Sequence, residues 1–202
     1  LNPYGLALNN TSWDLYFENF VTFYKLALNY IIDINIRGDF FVEEFTAILL
    51  RKMLTPFTTG FVDLQSPAGI INSVVVYNYD GYVYASDESR MLAEYHDYTF
   101  RLGYVTDKYE NLFYGKKAQQ IALIGGTEFI AGCADCAFQS YCGADPVRNY
   151  STQNDMYGFR PTSSFCKKHK AIISYLFYLI QNDYDRVMPI FKQWINKNEN
   201  GF

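Results

Sequence analysis

The stretch "CADCAFQSYCGADPVRNY", residues 133–150, contains three of the four cysteines in a chain of 202 residues. The fourth, Cys166, lies in the following segment "SSFCKKHK", which gives the spacing Cys-x2-Cys-x5-Cys-x23-Cys. The rest of the chain contains no thiol. The organisation of this part of the fold therefore depends on what the four cysteines bind.

Three interpretations of the four thiols are possible, and they differ in how many thiols they use. Two disulfides would require an oxidising compartment, and a redox Cys-x2-Cys pair would leave Cys142 and Cys166 without a role. A tetrahedral thiolate site uses all four and is compatible with zinc or with an iron–sulfur cluster. We favour the tetrahedral site, with Cys133, Cys136, Cys142 and Cys166 as the candidate ligands. His169 offers a variant with one nitrogen ligand, although we expect it to be a solvated helix residue.

Composition excludes two classes of protein. The formal charge is −4 with no basic stripe, which argues against nucleic-acid binding through phosphates. The longest apolar segment, "FVTFYKLALNYIIDINI", carries Lys25, Asn29, Asp33 and Asn35, so it predicts an amphipathic helix and not a membrane span. The first ten residues show no export signal, and the chain begins without Met, as though cut from a longer protein. We expect a cytoplasmic protein.

Hydrophobic periodicity predicts mostly helices around one hairpin. Helical spacing covers residues 13–34 and a second helix beginning at Asp39. Two β-rich runs flank Asp80-Gly81, a favoured hairpin turn. Further helices are predicted within 107–132, broken near Gly115 and Gly125-Gly126, then from about Ser163, and in a last segment containing Pro189.

The cysteine pattern resembles the C-terminal half of the SPASM domain, an extension of radical SAM enzymes that modify peptides. That domain usually holds two auxiliary 4Fe–4S clusters. The resemblance implies that Cys133, Cys136, Cys142 and Cys166 would together ligate the second cluster, leaving no open coordination position. The first cluster's ligands are missing, since Ser86, Lys108 and Pro146 stand where the family has cysteines.

Other segments resemble the radical SAM maturases of His-Xaa-Ser peptide systems: "SPAG", "YNYDGYVYASDESRMLAE", "FRLG" and "RPTSSFCKKHKAII". The resemblance implies an α+β fold in which "NPYGLAL" is one of the last strands of a partial TIM barrel and residues 13–54 form bridging helices. It divides the chain into 1–58, the end of the barrel and bridging helices, and 59–202, a SPASM-like domain with C-terminal helices.

The function implied is that of an auxiliary iron–sulfur region acting in electron transfer or in positioning a ribosomally made peptide. The signature Cys-x3-Cys-x2-Cys is absent from the sequence, so S-adenosylmethionine would bind only together with an N-terminal barrel that this chain lacks. We therefore expect a non-catalytic fragment with a peptide substrate and that barrel as its partners. The alternative is a zinc-stabilised binding module for a peptide or protein, without redox activity.

Overall fold

A computed structural model describes residues 13–57, 59, 64–143 and 145–196. In chain order these form α1 (Trp13–Ile36), α2 (Glu44–Leu54), β1 (Val76–Tyr77), β2 (Tyr82–Tyr84), α3 (Asp87–Ala93), β3 (Arg101–Tyr104), α4 (Tyr109–Tyr114), α5 (Lys116–Ile124), α6 (Pro146–Gln153), α7 (Ser164–Asn182) and α8 (Tyr184–Asn196). Helices and one small sheet confirm the α+β class. The predicted barrel strand at residues 2–8 lies outside the described residues.

The chain divides into two compact units. The sheet unit comprises Leu1–Thr11 and Phe61–Ser163, and the helical unit comprises Ser12–Gly60 and Ser164–Phe202. The helical unit thus combines α1 and α2 with α7 and α8, from opposite ends of the sequence. The division predicted from the sequence, at residue 58, places α7 and α8 with the cysteine segment instead.

The sheet unit is built on a three-stranded antiparallel sheet with β2 in the centre. Tyr77 pairs with Val83 in the predicted hairpin, which is confirmed, and Tyr82 pairs with Tyr104 on the other side. The turn needs Gly81, because its φ is +81° and a Cβ there would meet the Tyr104 ring. Gly103 lies within β3.

One apolar cluster forms the core of the sheet unit. Its buried members come from α3, α5, α6 and the segments that flank the strands and helices: Ala68, Ile70, Ala85, Leu92, Phe100, Ile121, Ile130 and Val147. Cys133 packs against this cluster from its edge. The first residue of the cysteine segment is therefore anchored by the same apolar packing that holds the sheet unit together.

The helical unit packs α1 against α7 and α8, and α2 against α8. Tyr24, Leu28 and Ile32, four residues apart on α1, are buried, as helical periodicity requires. The helix predicted from Asp39 begins instead at Glu44, because Glu43 accepts hydrogen bonds from the first free N–H groups of α2. Pro189 lies inside α8. No helix among the described residues is long and apolar enough to cross a membrane.

Candidate metal-binding segment

The backbone of the cysteine segment, residues 130–143, follows a series of tight turns. The N–H groups of Cys133, Cys136 and Cys142 donate to the carbonyls of Ile130, Cys133 and Gln139 at 3.0, 3.0 and 3.2 Å, and Gln139 N–H donates to Cys136 at 2.9 Å. Each of these hydrogen bonds joins residues three positions apart, and in a 3₁₀ helix residues at that spacing project from the same side. The spacing of the first three cysteines thus follows the repeat of the turns that carry them.

The start of the segment is fixed by Gly132. This glycine has φ +75°, and a Cβ placed there would lie 2.6 Å from Cγ of Pro161. Only glycine tolerates both the left-handed backbone and this close approach. The chain before Cys133 is therefore packed tightly against the 3₁₀ turn Arg160–Thr162.

The middle of the segment is held by Gln139. Its Nε2 donates to Thr127 Oγ1 at 3.0 Å and to Glu128 Oε1 at 2.8 Å. Ser66 Oγ donates to Glu128 Oε2 at 2.5 Å, and this hydrogen bond is the main reason that the pKa of Glu128 lies below its ordinary value, against the opposing effect of burial. The Gln139 amide thus ties the turn between Cys136 and Cys142 to the 3₁₀ turn Thr127–Phe129, which Ser66 in turn holds through Glu128.

The end of the segment is held by Arg160. Its side chain is 2% exposed, and Nη2 donates to the carbonyl of Gly143 at 2.7 Å. Cys142 Sγ lies 3.6 Å from that same carbonyl oxygen. A buried guanidinium therefore lies beside the third cysteine.

The loop that presents Arg160 is itself ordered by two amides of α6. Asn149 Nδ2 donates to the carbonyls of Met156 and Tyr157 at 3.4 and 3.1 Å. Gln153 Oε1 accepts from the N–H of Phe159 at 2.6 Å. Polar side chains here take the place of regular backbone pairing, so the position of Arg160 is determined by several hydrogen bonds.

Cys166 lies in the first turn of α7, in the helical unit. The sequence predicted a helix start at this cysteine, and the structure has one. The first turn of a helix presents N–H groups and the positive end of its dipole, an environment that favours a thiolate. All four cysteines are half-buried and none forms a disulfide.

The donor chemistry of the four thiols fits zinc or an iron–sulfur cluster. Within the described part of the chain, however, no three His, Cys, Asp or Glu side chains are arranged as a metal site. The structure places Cys133, Cys136 and Cys142 on one ordered segment of the sheet unit and Cys166 on α7. Their role as a common ligand set remains a prediction.

The three positions where the family has further cysteines all lie at helix starts. Ser86 is the N-cap of α3, Lys108 is the N-cap residue of α4, and Pro146 is at the first position of α6, after the N-cap Asp145. Serine at an N-cap and proline at the first helical position are favoured for their local structure. At Ser86 and Pro146 the residue present thus has a clear structural role of its own.

His169 and the charged pair Asp87 and Arg90 each make contacts within their own unit. His169 is 3% exposed, so the expectation of a solvated residue is wrong: its Nδ1 is 2.9 Å from the carbonyl of Phe165, and its ring packs on the Phe165 ring. Asp87 and Arg90 form an ion pair of 2.9 Å on α3.

Sequence reasoning missed Gln139 and Arg160. Both are polar residues in irregular segments, where no periodicity indicates which side chains are buried. An arginine beside a proline, six residues before the last cysteine, is the only local signal, and it does not predict burial.

No protein-family model matches the chain, and no curated protein matches it either. Among solved structures, the chain is similar to one described as histidine-tagged anSMEcpe with bound AdoMet, with a TM-score of 0.61 and 17% sequence identity. The match covers 89% of this chain and 44% of that chain. This likeness shows a shared fold, and the chain spans less than half the length of that structure.

Proposed function

We propose that this chain is the auxiliary iron–sulfur region of a radical SAM enzyme that modifies a ribosomally made peptide. The observation that carries the proposal is the fold likeness, over 89% of the chain, to a structure that contains AdoMet. AdoMet is the cofactor that the sequence resemblance implies for the complete enzyme. Two independent lines, cysteine spacing and fold, thus point to the same class of enzyme.

In this proposal Cys133, Cys136, Cys142 and Cys166 hold one 4Fe–4S cluster, which supplies a one-electron redox centre when bound. The residues around the segment order the first three thiols: Gly132 fixes the entry, Gln139 the middle and Arg160 the exit. Four protein thiolates complete the coordination of the cluster, so its role is electron transfer or support of the peptide-binding region. AdoMet cleavage would take place on a barrel outside this chain. A reduced, cytoplasmic compartment suits these thiolates.

Anaerobic reconstitution with iron and sulfide tests the proposal. We expect a brown protein with thiolate-to-iron charge transfer in the visible spectrum and about four irons per chain. Cys136→Ser should lower the iron content, whereas Ser140→Ala, a change in the same segment, should leave it unaltered. A colourless protein that binds a single zinc and takes up no iron would favour the zinc-stabilised binding module instead.

A second experiment tests whether AdoMet cleavage requires a barrel outside this chain. The chain alone, reconstituted and reduced, should leave AdoMet intact, because it lacks the Cys-x3-Cys-x2-Cys signature. Reductive cleavage of AdoMet by this chain alone would contradict the assignment of that step to a separate barrel.

A further inference from the structure

One arginine of the sheet unit, Arg101, is packed against tyrosine rings instead of being paired with a carboxylate. Its guanidinium carbon lies 4.2 Å from the centre of the Tyr82 ring and 4.6 Å from that of Tyr98. Among the described residues, no carboxylate forms an ion pair with it, whereas Arg90 and Arg186 each have carboxylate partners. The half-buried Arg101 is therefore a cation held in place by rings, with its N–H donors available to a ligand.

The rings around this guanidinium lie on the face of the sheet opposite α4. The face that carries Val83 and Gly103 is covered by α4, because a Cβ at Gly103 would lie 2.7 Å from Cδ2 of the buried Leu112. Tyr82 and Tyr104 alternate with these residues along their strands, so they project from the other face. Their rings pack edge to face with centres 5.1 Å apart, and Tyr104 is 42% exposed. Aromatic surface thus surrounds the guanidinium.

The carboxylates nearest to Arg101 in the sequence are used within their own turns. Each accepts a hydrogen bond from a backbone N–H two or three residues away, at 2.9, 3.0 and 2.7 Å: Asp80, Asp97 and Asp107. A second cation lies beside Arg101, since Lys117 Nζ donates to its carbonyl at 3.2 Å. Lys117 also forms no ion pair within the described part of the chain. Two cations without ion-pair partners therefore lie together in a chain of net charge −4.

We propose that the tyrosine–arginine surface, formed by Tyr82, Tyr98, Arg101, Tyr104 and Lys117, binds a carboxylate side chain of an acidic peptide. A stacked guanidinium keeps its in-plane N–H groups free for a bidentate carboxylate, and the tyrosines supply apolar area for the peptide around it. Tyrosine and arginine are among the side chains that contribute most to protein interfaces. The choice of a peptide as occupant rests on the proposed function, whereas the binding chemistry involves no metal.

Peptide binding to the full chain tests the proposal. The probe is a fluorescein-labelled peptide in which glutamate alternates with alanine and one phenylalanine is included, and a matched probe has glutamine in place of every glutamate. Fluorescence anisotropy gives the affinities of the wild type, Arg101→Gln, Arg101→Lys and the control Arg37→Gln. Arg37 also lies over a tyrosine ring, 6.0 Å from the centre of Tyr30, but in the helical unit. Thermal melts establish that each variant is folded.

We expect the wild type to bind the glutamate peptide about tenfold more tightly than the glutamine peptide, the usual contribution of a charge-assisted hydrogen bond. Arg101→Gln should lower the affinity for the glutamate peptide by about the same factor and leave that for the glutamine peptide unchanged. Arg101→Lys should fall between the two, because the charge remains while the planar fork is lost. Arg37→Gln should match the wild type, and added salt should weaken binding of the glutamate peptide.

A folded Arg101→Gln that binds the glutamate peptide as tightly as the wild type overturns the inference. An equal loss in Arg37→Gln also overturns it, because it would indicate a nonspecific attraction of the peptide to any cation. If Arg101→Gln does not fold, wild-type affinity in Arg101→Lys overturns the inference instead, and a weaker affinity supports it.

Two further outcomes separate this inference from its alternatives. Displacement of the bound peptide by inorganic phosphate at the peptide's own concentration would assign the surface to a small anion and overturn the peptide as its occupant. Iron uptake is measured separately, so normal iron uptake without peptide binding overturns this inference alone. Peptide binding without iron uptake supports this inference and overturns the proposed cluster alone.

Discussion

Ser86 and Ser89 cap each other at the start of α3. Ser86 Oγ accepts from the N–H of Ser89 at 3.2 Å, and Ser89 Oγ accepts from the N–H of Ser86 at 2.8 Å. Both residues are buried, and they satisfy two N–H groups that a helix start leaves without partners. The position where the SPASM pattern has a cluster ligand is therefore occupied by a helix cap.

Ser86→Ala should lower the free energy of unfolding by about 1 kcal/mol, because the capping oxygen is lost at a buried helix start. Urea denaturation of the metal-free protein measures the change. Ser140→Ala, at an exposed position, is the control and should change stability by no more than about 0.5 kcal/mol. Equal stability of Ser86→Ala and the control would show that the capping pair contributes nothing.

Gly132→Ala should destabilise the sheet unit and weaken metal binding together. The added Cβ would lie 2.6 Å from Pro161 Cγ, in a backbone conformation that costs an L-residue of order 1 kcal/mol or more. Urea denaturation and zinc titration measure the two effects.

Gly38→Ala is the matched control for that change. Its φ is +100°, but a Cβ there meets no atom within 4 Å, so it carries backbone strain without the clash. We expect Gly132→Ala to lose more stability than Gly38→Ala, and only Gly132→Ala to lose zinc affinity. The same loss of zinc affinity in both variants would contradict the packing of Gly132 against Pro161.

Asp80 gives the hairpin a pH dependence. Slight burial raises the pKa of Asp80, but hydrogen bonds from the Tyr82 N–H at 2.9 Å and the Tyr84 hydroxyl at 2.7 Å outweigh this and hold the pKa below its ordinary value. A carboxyl with a lowered folded pKa stabilises the fold above its unfolded pKa, about 4, and this stabilisation is lost as the pH falls through the folded value.

Asp80→Asn should therefore reduce the difference in stability between about pH 6 and about pH 3. Melting the wild type and the variant across this range measures the difference. Asp135→Asn, which removes an exposed carboxylate from the same unit, serves as the control. An Asp80→Asn profile that loses stability on acidification as steeply as the wild type would contradict the argument.

Leu28→Ala should lower the free energy of unfolding by about 2–5 kcal/mol, because the side chain is fully buried and leaves a cavity. Phe23→Ala, on an exposed position of the same helix, should change it by no more than about 0.5 kcal/mol. Denaturant unfolding compares the two. Similar losses in both would mean that this face of α1 is not the one packed in the core.

The sequence predicts the long elements and those that are bounded by clear turn or helix-breaking residues. α1 has enough turns for its period to be recognised, and Asp80-Gly81 and Gly115 mark a hairpin and a helix break that the structure contains. α3 and α6, with seven and eight residues, have too few turns for a period to be recognised. The sequence Asp145-Pro146 was a usable helix-start signal for α6, because it combines an N-cap residue with proline at the first position.

The ligand chemistry of the candidate site could be predicted from the sequence, whereas the residues that hold its segment in place could not. Thiols are recognisable at any spacing, whereas Gln139 and Arg160 act through contacts with residues distant in sequence. The burial of His169 depends on packing against Phe165 and Phe45, which no local pattern shows.

The helical unit is assembled from segments that ribosomes make at very different times. α1 packs against α7 and α8, and Arg186 of α8 pairs with Asp33 of α1 at 2.8 Å across 153 positions of chain, so α1 lacks these two packing partners until α7 and α8 have emerged. The sheet unit, encoded between them, can fold first. During synthesis α1 would thus expose apolar surface for longer than any other described helix, which makes it the expected binding site for a holdase chaperone.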